Sequence, residues 1–258
     1  MTVSYHDYGA GPAIIFLHGV GSGKEGWRNQ IDPILSIGWR FIAIDAPGFG
    51  TTPLPQAPGF QPHIQCVIET MDQLNISDAV FCGHSLGGMT VQEIVAAHAK
   101  QVTAIVLSAT SPAFGRPDGD FQKQFLKQRF EPFDSGMTMP EYAQKFSKNL
   151  VDPAADQSAV SEIIDVMSPV SIEAYRMSMH TITAFDQRAN LPNIEVPTLL
   201  IGGESDQNAP SNMMQKMAGK IQGADFVELK KTGHMAPVEN PVKFNQVLLE
   251  FLKRTLNQ

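Results

Sequence analysis

The sequence predicts an α/β fold, with a mostly parallel central sheet, helices on both faces and a helical insertion. Three observations predict it. Short, near-continuous apolar runs of strand length alternate with longer amphipathic runs from residue 13 to about 110; strands buried on both faces read this way. The same alternation resumes at about residue 191. Between 111 and 190 no β-branched run of strand type appears, and the apolar residues fall at helical spacing. The expected division is a core built from 1–110 and 191–258, with a helical cap inserted over 111–190.

The elements follow in order. "AIIFLH" at 13–18 reads as a buried strand and "EGWRNQIDPILS" at 25–36 as a helix. "RFIAIDA" at 40–46 is the next strand, followed by the Pro/Gly-rich loop "PGFGTTPLPQAPG". In "IQCVIETMDQL" at 64–74, Ile64, Val67, Ile68, Met71 and Leu74 make one apolar helix face. "AVFCG" is a strand, "LGGMTVQEIVAAHA" a helix and "TAIVLSA" at 103–109 a strand. The insertion holds four helical patterns: "FQKQFLKQRF", "PEYAQKFSKNLV", "VSEIIDVM" and "SIEAYRMSMHTITAF". Strand "VPTLLIGG", helix "PSNMMQKMAGKI", strand "DFVELK" and helix "NPVKFNQVLLEFLKRTL" complete the chain. Only "VSYHDY" precedes the first buried strand, so little chain is left for an antiparallel start.

Composition narrows the function classes. A hydrophobic content of 43% over 258 residues supplies a large core, while no run of eighteen apolar residues predicts a membrane span. The net charge of −7 argues against a nucleic-acid partner, which selects basic faces. No zinc-type Cys/His spacing, phosphate loop or dinucleotide fingerprint occurs, and no metal or organic cofactor is expected. The start of the chain lacks a basic stretch followed by an apolar one, so no signal peptide is expected. The two cysteines, Cys66 and Cys82, read as unpaired thiols and favour a reducing cytoplasm. Nothing in the sequence sets an oligomeric state.

"GHSLGG" at 83–88 places Ser85 between glycines, after a strand and before a helix. It reads either as a tight turn or as a strained elbow that presents a nucleophile. The elbow needs the flanking strand and helix, and both are present. The helix start also aims backbone N–H groups and a positive dipole end at Ser85, which suits a developing oxyanion. A serine nucleophile needs a base and an orienting acid, in the chain order Ser, Asp or Glu, His. His234, in the loop "KKTGHMAPVENP", follows the last strand. "TLLIGGESDQNAP" offers Asp206, with Glu204 as the alternative acid. "FLHGVGSG" at 16–23 offers the Val20 N–H as one oxyanion donor, and Leu86 N–H is the other.

With "LHGVGSG", "DAPGFG", "GHSLGGM", "IGGESDQNAP" and "GHMAPVENP" in this order, the chain resembles the α/β-hydrolase superfamily over nearly its whole length. The elbow and the closing "ENPVKFNQVLLEFL" are similar to the branch of 3-oxoadipate enol-lactonases and small esterases. The resemblance implies that Ser85, Asp206 and His234 form a catalytic triad. It also implies that Asp45 of "DAPGFG" organises its loop. Haloalkane dehalogenases and epoxide hydrolases of this fold carry Asp at the elbow, and Ser85 argues against both. Carbon–carbon bond hydrolases often carry Trp after the base, where this chain has Met235.

The implied activity is hydrolysis of a carboxylic ester or lactone of a small, largely apolar substrate through an acyl-enzyme. Alternatives are carbon–carbon bond hydrolysis with the same triad, or ligand binding on this fold without turnover. Candidates for the substrate pocket are Gly19, His84, Phe125, Phe146, His180 and Met235, with a helix-surface position as the alternative for His180. Among Lys123, Lys127, Arg129, Arg176 and Arg188, one cation is a candidate partner for a substrate carboxylate; a solvated helix face is the alternative for each.

Overall fold

The computed structural model describes residues 2–115 and 119–255. Residues 116–118 of the expected insertion, and Met1 and 256–258 of the expected core, lie outside them. Seven strands form one sheet: β1 (Tyr5–Tyr8), β2 (Ala13–Leu17), β3 (Arg40–Ile44), β4 (Ala79–His84), β5 (Val102–Ser108), β6 (Thr198–Gly203) and β7 (Asp225–Leu229). Their order is β1-β3-β2-β4-β5-β6-β7. All neighbours pair parallel except β1, which runs antiparallel to β3 at the edge. The short start of the chain thus supplies one antiparallel strand.

Strand periodicity explains why helices cover both faces. In β2, Ile15 and Leu17 face one apolar cluster with Phe81, Val91, Ile105 and Leu200. Ile14 and Phe16 face the other, with Trp27, Phe41, Cys82 and Val106. Every second residue points the same way, so an all-apolar strand requires two cores. α1 (Ile31–Ser36) and the C-terminal helix, through Phe244, Leu248 and Phe251, close the second face. α2 (Phe60–Gln73) and α3 (Leu86–His98) close the first.

The helix expected over 25–36 divides. A tight 3₁₀ turn runs Lys24–Gln30, and α1 starts only at Ile31. Pro33 explains the division. Inside a continuous helix it would remove a hydrogen bond and clash, but in the first turn of α1 its missing N–H costs nothing.

Between β5 and β6 come α4 (Asp120–Asp134), α5 (Met139–Phe146), α6 (Gln157–Met167) and α7 (Ile172–Thr183). Thr138 and Glu141 cap α5 reciprocally, Asp156 caps α6 and Ser171 caps α7, so these helix starts are written locally. The apolar faces of the insertion pack with Val20, Leu86 and Met89 from the sheet domain's strand-to-helix turns. The helix expected over 140–151 stops at Phe146; a tight turn follows, and Leu150 and Val151 leave the helix. α8 (Ser211–Ala218), the short α9 (Ala236–Glu239) and α10 (Pro241–Thr255) complete the fold. Among the described residues no helix is long and apolar enough to cross a membrane.

Candidate active site

The chain passes from β2 out to β3 and then returns to the other side of β2 with β4. At such a switch point the loops after neighbouring strands diverge and leave a crevice at their C-terminal ends. A cavity lies there, about 870 Å³ including its mouth. Its wall takes Gly19–Ser22 after β2, His84 and Ser85 after β4, Ala109–Ser111 after β5, Asn208 and Ala209 after β6, and His234 and Met235 after β7.

Ser85 occupies the turn between β4 and α3 with φ 53° and ψ −115°, a region that non-glycine residues rarely adopt. Three hydrogen bonds hold the turn. Ser85 N–H donates to Ser108 O at 2.9 Å, and Ser85 O accepts from Met89 N–H at 3.1 Å and from Thr110 Oγ1–H at 2.8 Å. The glycine spacing is steric. A Cβ on Gly83 would overlap the Gly87 backbone, and a Cβ on Gly87 would overlap the Leu17 carbonyl. The "G-x-S-x-G" stretch is therefore an elbow and not a plain turn.

His234 Nδ1–H donates to Asp206 Oδ2 at 2.8 Å. Asp206 Oδ1 in turn accepts the N–H groups of Asn208 at 2.8 Å and Ala209 at 3.0 Å. Burial alone would raise the Asp206 carboxyl; His234 and these donors outweigh it and hold it below the usual carboxylate range. The pair fixes the imidazole with its proton on Nδ1 and leaves the Nε2 lone pair able to accept a proton. Among the described residues Ser85 Oγ makes no hydrogen bond to His234, although both line the cavity. In substrate-free sites this bond is often long and tightens on binding. Among the described residues Glu204, the alternative acid, makes no hydrogen bond to His234; its carboxylate takes Lys230 Nζ at 3.0 Å and Lys231 N–H at 2.9 Å on the surface.

The loop after β2 is held by a neutral histidine. His18 Nδ1–H donates to Gly19 O at 2.8 Å, and His18 Nε2 accepts Ala46 N–H at 2.9 Å. Burial lowers its pKa and keeps the ring uncharged. Asp45 ties the next loop to Lys24 through the N–H at 2.8 Å and Nζ at 2.7 Å. Val20 follows Gly19 at the cavity wall. Leu86 opens α3, so its N–H precedes any intrahelical acceptor. The Leu86 side chain itself does not line the cavity; it belongs to the apolar cluster that includes Val20, Phe49 and Met89.

Of the expected pocket residues, Gly19, His84, Phe125, Phe146 and Met235 line the cavity. His84 is 3% exposed, with its ring centre 4.9 Å from that of His234. Burial, and then His234, push its imidazole well below the ordinary histidine value. His180 does not line the cavity. It is exposed on α7 and packs its ring on Phe130 at 5.3 Å. Tyr175, Met179 and Ile182 form the cavity stripe of α7, and at 100° per residue position 180 is turned away from it. That i, i+4, i+7 stripe is legible in sequence and would have found Tyr175 and Ile182. Met89, Met167, Met179 and Met235 all reach the wall.

Of the five candidate cations, only Arg129 reaches the cavity. Its guanidinium lies 4.4 Å from the Phe146 ring centre and 5.2 Å from that of Phe125. Tyr142 Oη and Asn208 Oδ1 lie 3.5 Å from its nitrogens. Among the described residues it has no carboxylate partner. Arg176 and Arg188, by contrast, pair with Asp134 and Asp186.

A parallel sheet with a serine elbow at its switch point, and an Asp–His pair on the loops after β6 and β7, defines the α/β-hydrolase class. Residues 12–241 match the family model described as alpha/beta hydrolase fold, and the chain belongs to that family. It is 27% identical to the AB hydrolase superfamily protein YisY of Bacillus subtilis strain 168, over 97% of this chain and 95% of the relative. It is 26% identical to the 2-hydroxy-6-oxononadienedioate/2-hydroxy-6-oxononatrienedioate hydrolase of a Pseudomonas species, over 98% of this chain and 92% of that one. The crystal structure of the enol-lactonase from Burkholderia xenovorans LB400 superposes with a TM-score of 0.85 at 28% identity, covering 97% of this chain and 96% of that one.

Proposed function

We propose that the protein is a serine hydrolase that cleaves a carboxylic ester or lactone of a small, largely apolar substrate through an acyl-enzyme. The observation that carries this reading is the strained Ser85 elbow on the same cavity wall as His234, which Asp206 holds from behind by a hydrogen bond. His234 Nε2 takes the Ser85 proton as Oγ bonds to the substrate carbonyl carbon. The Val20 and Leu86 N–H groups hold the oxyanion. The carbon–oxygen bond to the leaving group then breaks, and His234 returns the proton to that oxygen. Water, activated by the same base, releases the acid and restores Ser85. Residues 111–190 act as a cap whose aromatic and methionine side chains shape the acyl site, and Arg129 is placed to take a carboxylate on the substrate. The buried thiols Cys66 and Cys82, the first pushed up to about 12 by burial, suit a reducing cytoplasm.

Carbon–carbon bond hydrolysis of a dienoate acid is the second reading. The named Pseudomonas relative and the unpaired Arg129 favour it. Intact-mass analysis after a fluorophosphonate probe tests the serine chemistry. One adduct on the wild type and none on Ser85→Ala is expected; no adduct on the folded wild type counts against a competent triad. Turnover of aryl esters and lactones against dienoates then separates the two reactions.

A further inference from the structure

The loop that carries His234 is bonded to a short stretch of the helical insertion. His234 N–H and Met235 N–H both donate to Leu150 O, at 2.7 and 3.1 Å. Asp152 N–H donates to Glu239 Oε1 at 2.6 Å, and Gly233 N–H donates to Glu239 Oε2 at 2.7 Å. The Asp152 carboxylate accepts the Ser205 hydroxyl, one residue before Asp206. Gly233 lies directly on this stretch; a Cβ there would sit 2.6 Å from the Val151 backbone. Residues 150–152 therefore touch the acid's loop and the base's loop at once, and Glu239 is the side chain that spans from this stretch to the base's loop.

We propose that Glu239 is a positioning residue that sets His234 against Ser85 and couples the seating of the insertion to the placement of the base. This rests on the reading of His234 as the base. Burial raises the Glu239 carboxyl above its ordinary value, and the two N–H donors act against that rise. Two backbone N–H donors converge on its two oxygens, and an amide would turn an NH₂ group toward one of them. Glu239 does not line the cavity, and its carboxylate reaches the base through Gly233, the residue before His234. Displacing a reacting group by about 1 Å costs on the order of a hundredfold in rate, so a loosened Gly233 is felt at Ser85.

The test compares wild type, Glu239→Gln and Glu239→Asp in rate of fluorophosphonate labelling, in melting temperature and in the NMR resonance of the His234 Nδ1 proton. Aspartate keeps the charge but is one methylene too short to span both donors. Labelling of folded Glu239→Gln is expected to slow roughly tenfold to a hundredfold, with a displaced or broadened Nδ1 proton and a smaller effect in Glu239→Asp. Labelling at the wild-type rate in either folded variant overturns the inference, even if melting temperature falls, because a purely structural role moves stability alone. Failure of the wild type itself to label overturns the reading of Ser85 and this inference with it.

Discussion

Arg129 holds its guanidinium 4.4 Å from the centre of the Phe146 ring, on the wall of the cavity that contains Ser85. The ring faces fix the cation without neutralising it, and the carboxylate nearest the chemistry, Asp206, is already engaged by His234. A half-buried cation with π faces beside it and no counter-ion favours an anionic ligand group.

Arg129→Met keeps the apolar stem and removes the charge. It should lower kcat/KM for a carboxylate-bearing aryl ester roughly tenfold to a hundredfold, matching about 1.5–3 kcal/mol for hydrogen bonds to a charged group. A neutral aryl ester of the same length should change little. Equal losses on both esters would show that Arg129 only shapes the cavity.

The acid assignment makes a sharp contrast between neighbours. Asp206→Asn should cut kcat by about 10⁴ with little change in KM, because the amide no longer holds the Nδ1–H tautomer of His234. Glu204→Gln, which disturbs only surface bonds to Lys230 and Lys231, should leave kcat intact. A large loss in Glu204→Gln would mean that the acid has been misassigned.

Gly87 and Gly136 separate close approach from backbone freedom. Gly87→Ala forces a Cβ onto the Leu17 carbonyl; it should cost at least about 3 kcal/mol, or roughly 6–12 °C in melting temperature. Gly136 has φ +90° but open space around it, and Gly136→Ala should cost only about 1–2 kcal/mol. Calorimetry on the two variants checks the order.

His63 couples stability to pH. Burial first, and His18 second, lower it to about 3 in the folded chain, against about 6.5 when unfolded. Between those values the unfolded state binds more protons, so stability rises with pH and is lost as pH falls from 6.5 toward 3. His63→Gln should flatten that slope by up to about 1.4 kcal/mol per pH unit. Urea unfolding at several pH values would show it; parallel curves for the two proteins would rule it out.

The inner strands were legible because each carries an uninterrupted apolar run, and such runs have few other uses in a chain this long; the edge strand β1, "YHDY", carries none and was not read as a strand. Ser85, Asp206 and His234 were legible because each follows a strand in a turn rich in Gly, Pro or Asp. What escaped had two physical causes. Pro33 moved a helix start, a local rule visible in "IDPILS" but not weighed against the amphipathic pattern around it. Leu150 and Val151 continue a helical spacing from Tyr142 and Phe146, yet tertiary bonds from His234 and Met235 draw Leu150 out of the helix. No local signal announces that. His180 carries a residue type that invites a role, and only the phase of the α7 stripe excludes it from the cavity.

Met89, Met167, Met179 and Met235 all contribute to the wall of the cavity that holds Ser85. Oxidation of such a side chain to the sulfoxide turns a pliant apolar surface into a polar, chiral one, and reductases can reverse it. Sulfoxide formation at any of these methionines would therefore make the cavity wall beside Ser85 more polar while leaving the serine, the imidazole and the carboxylate chemically untouched.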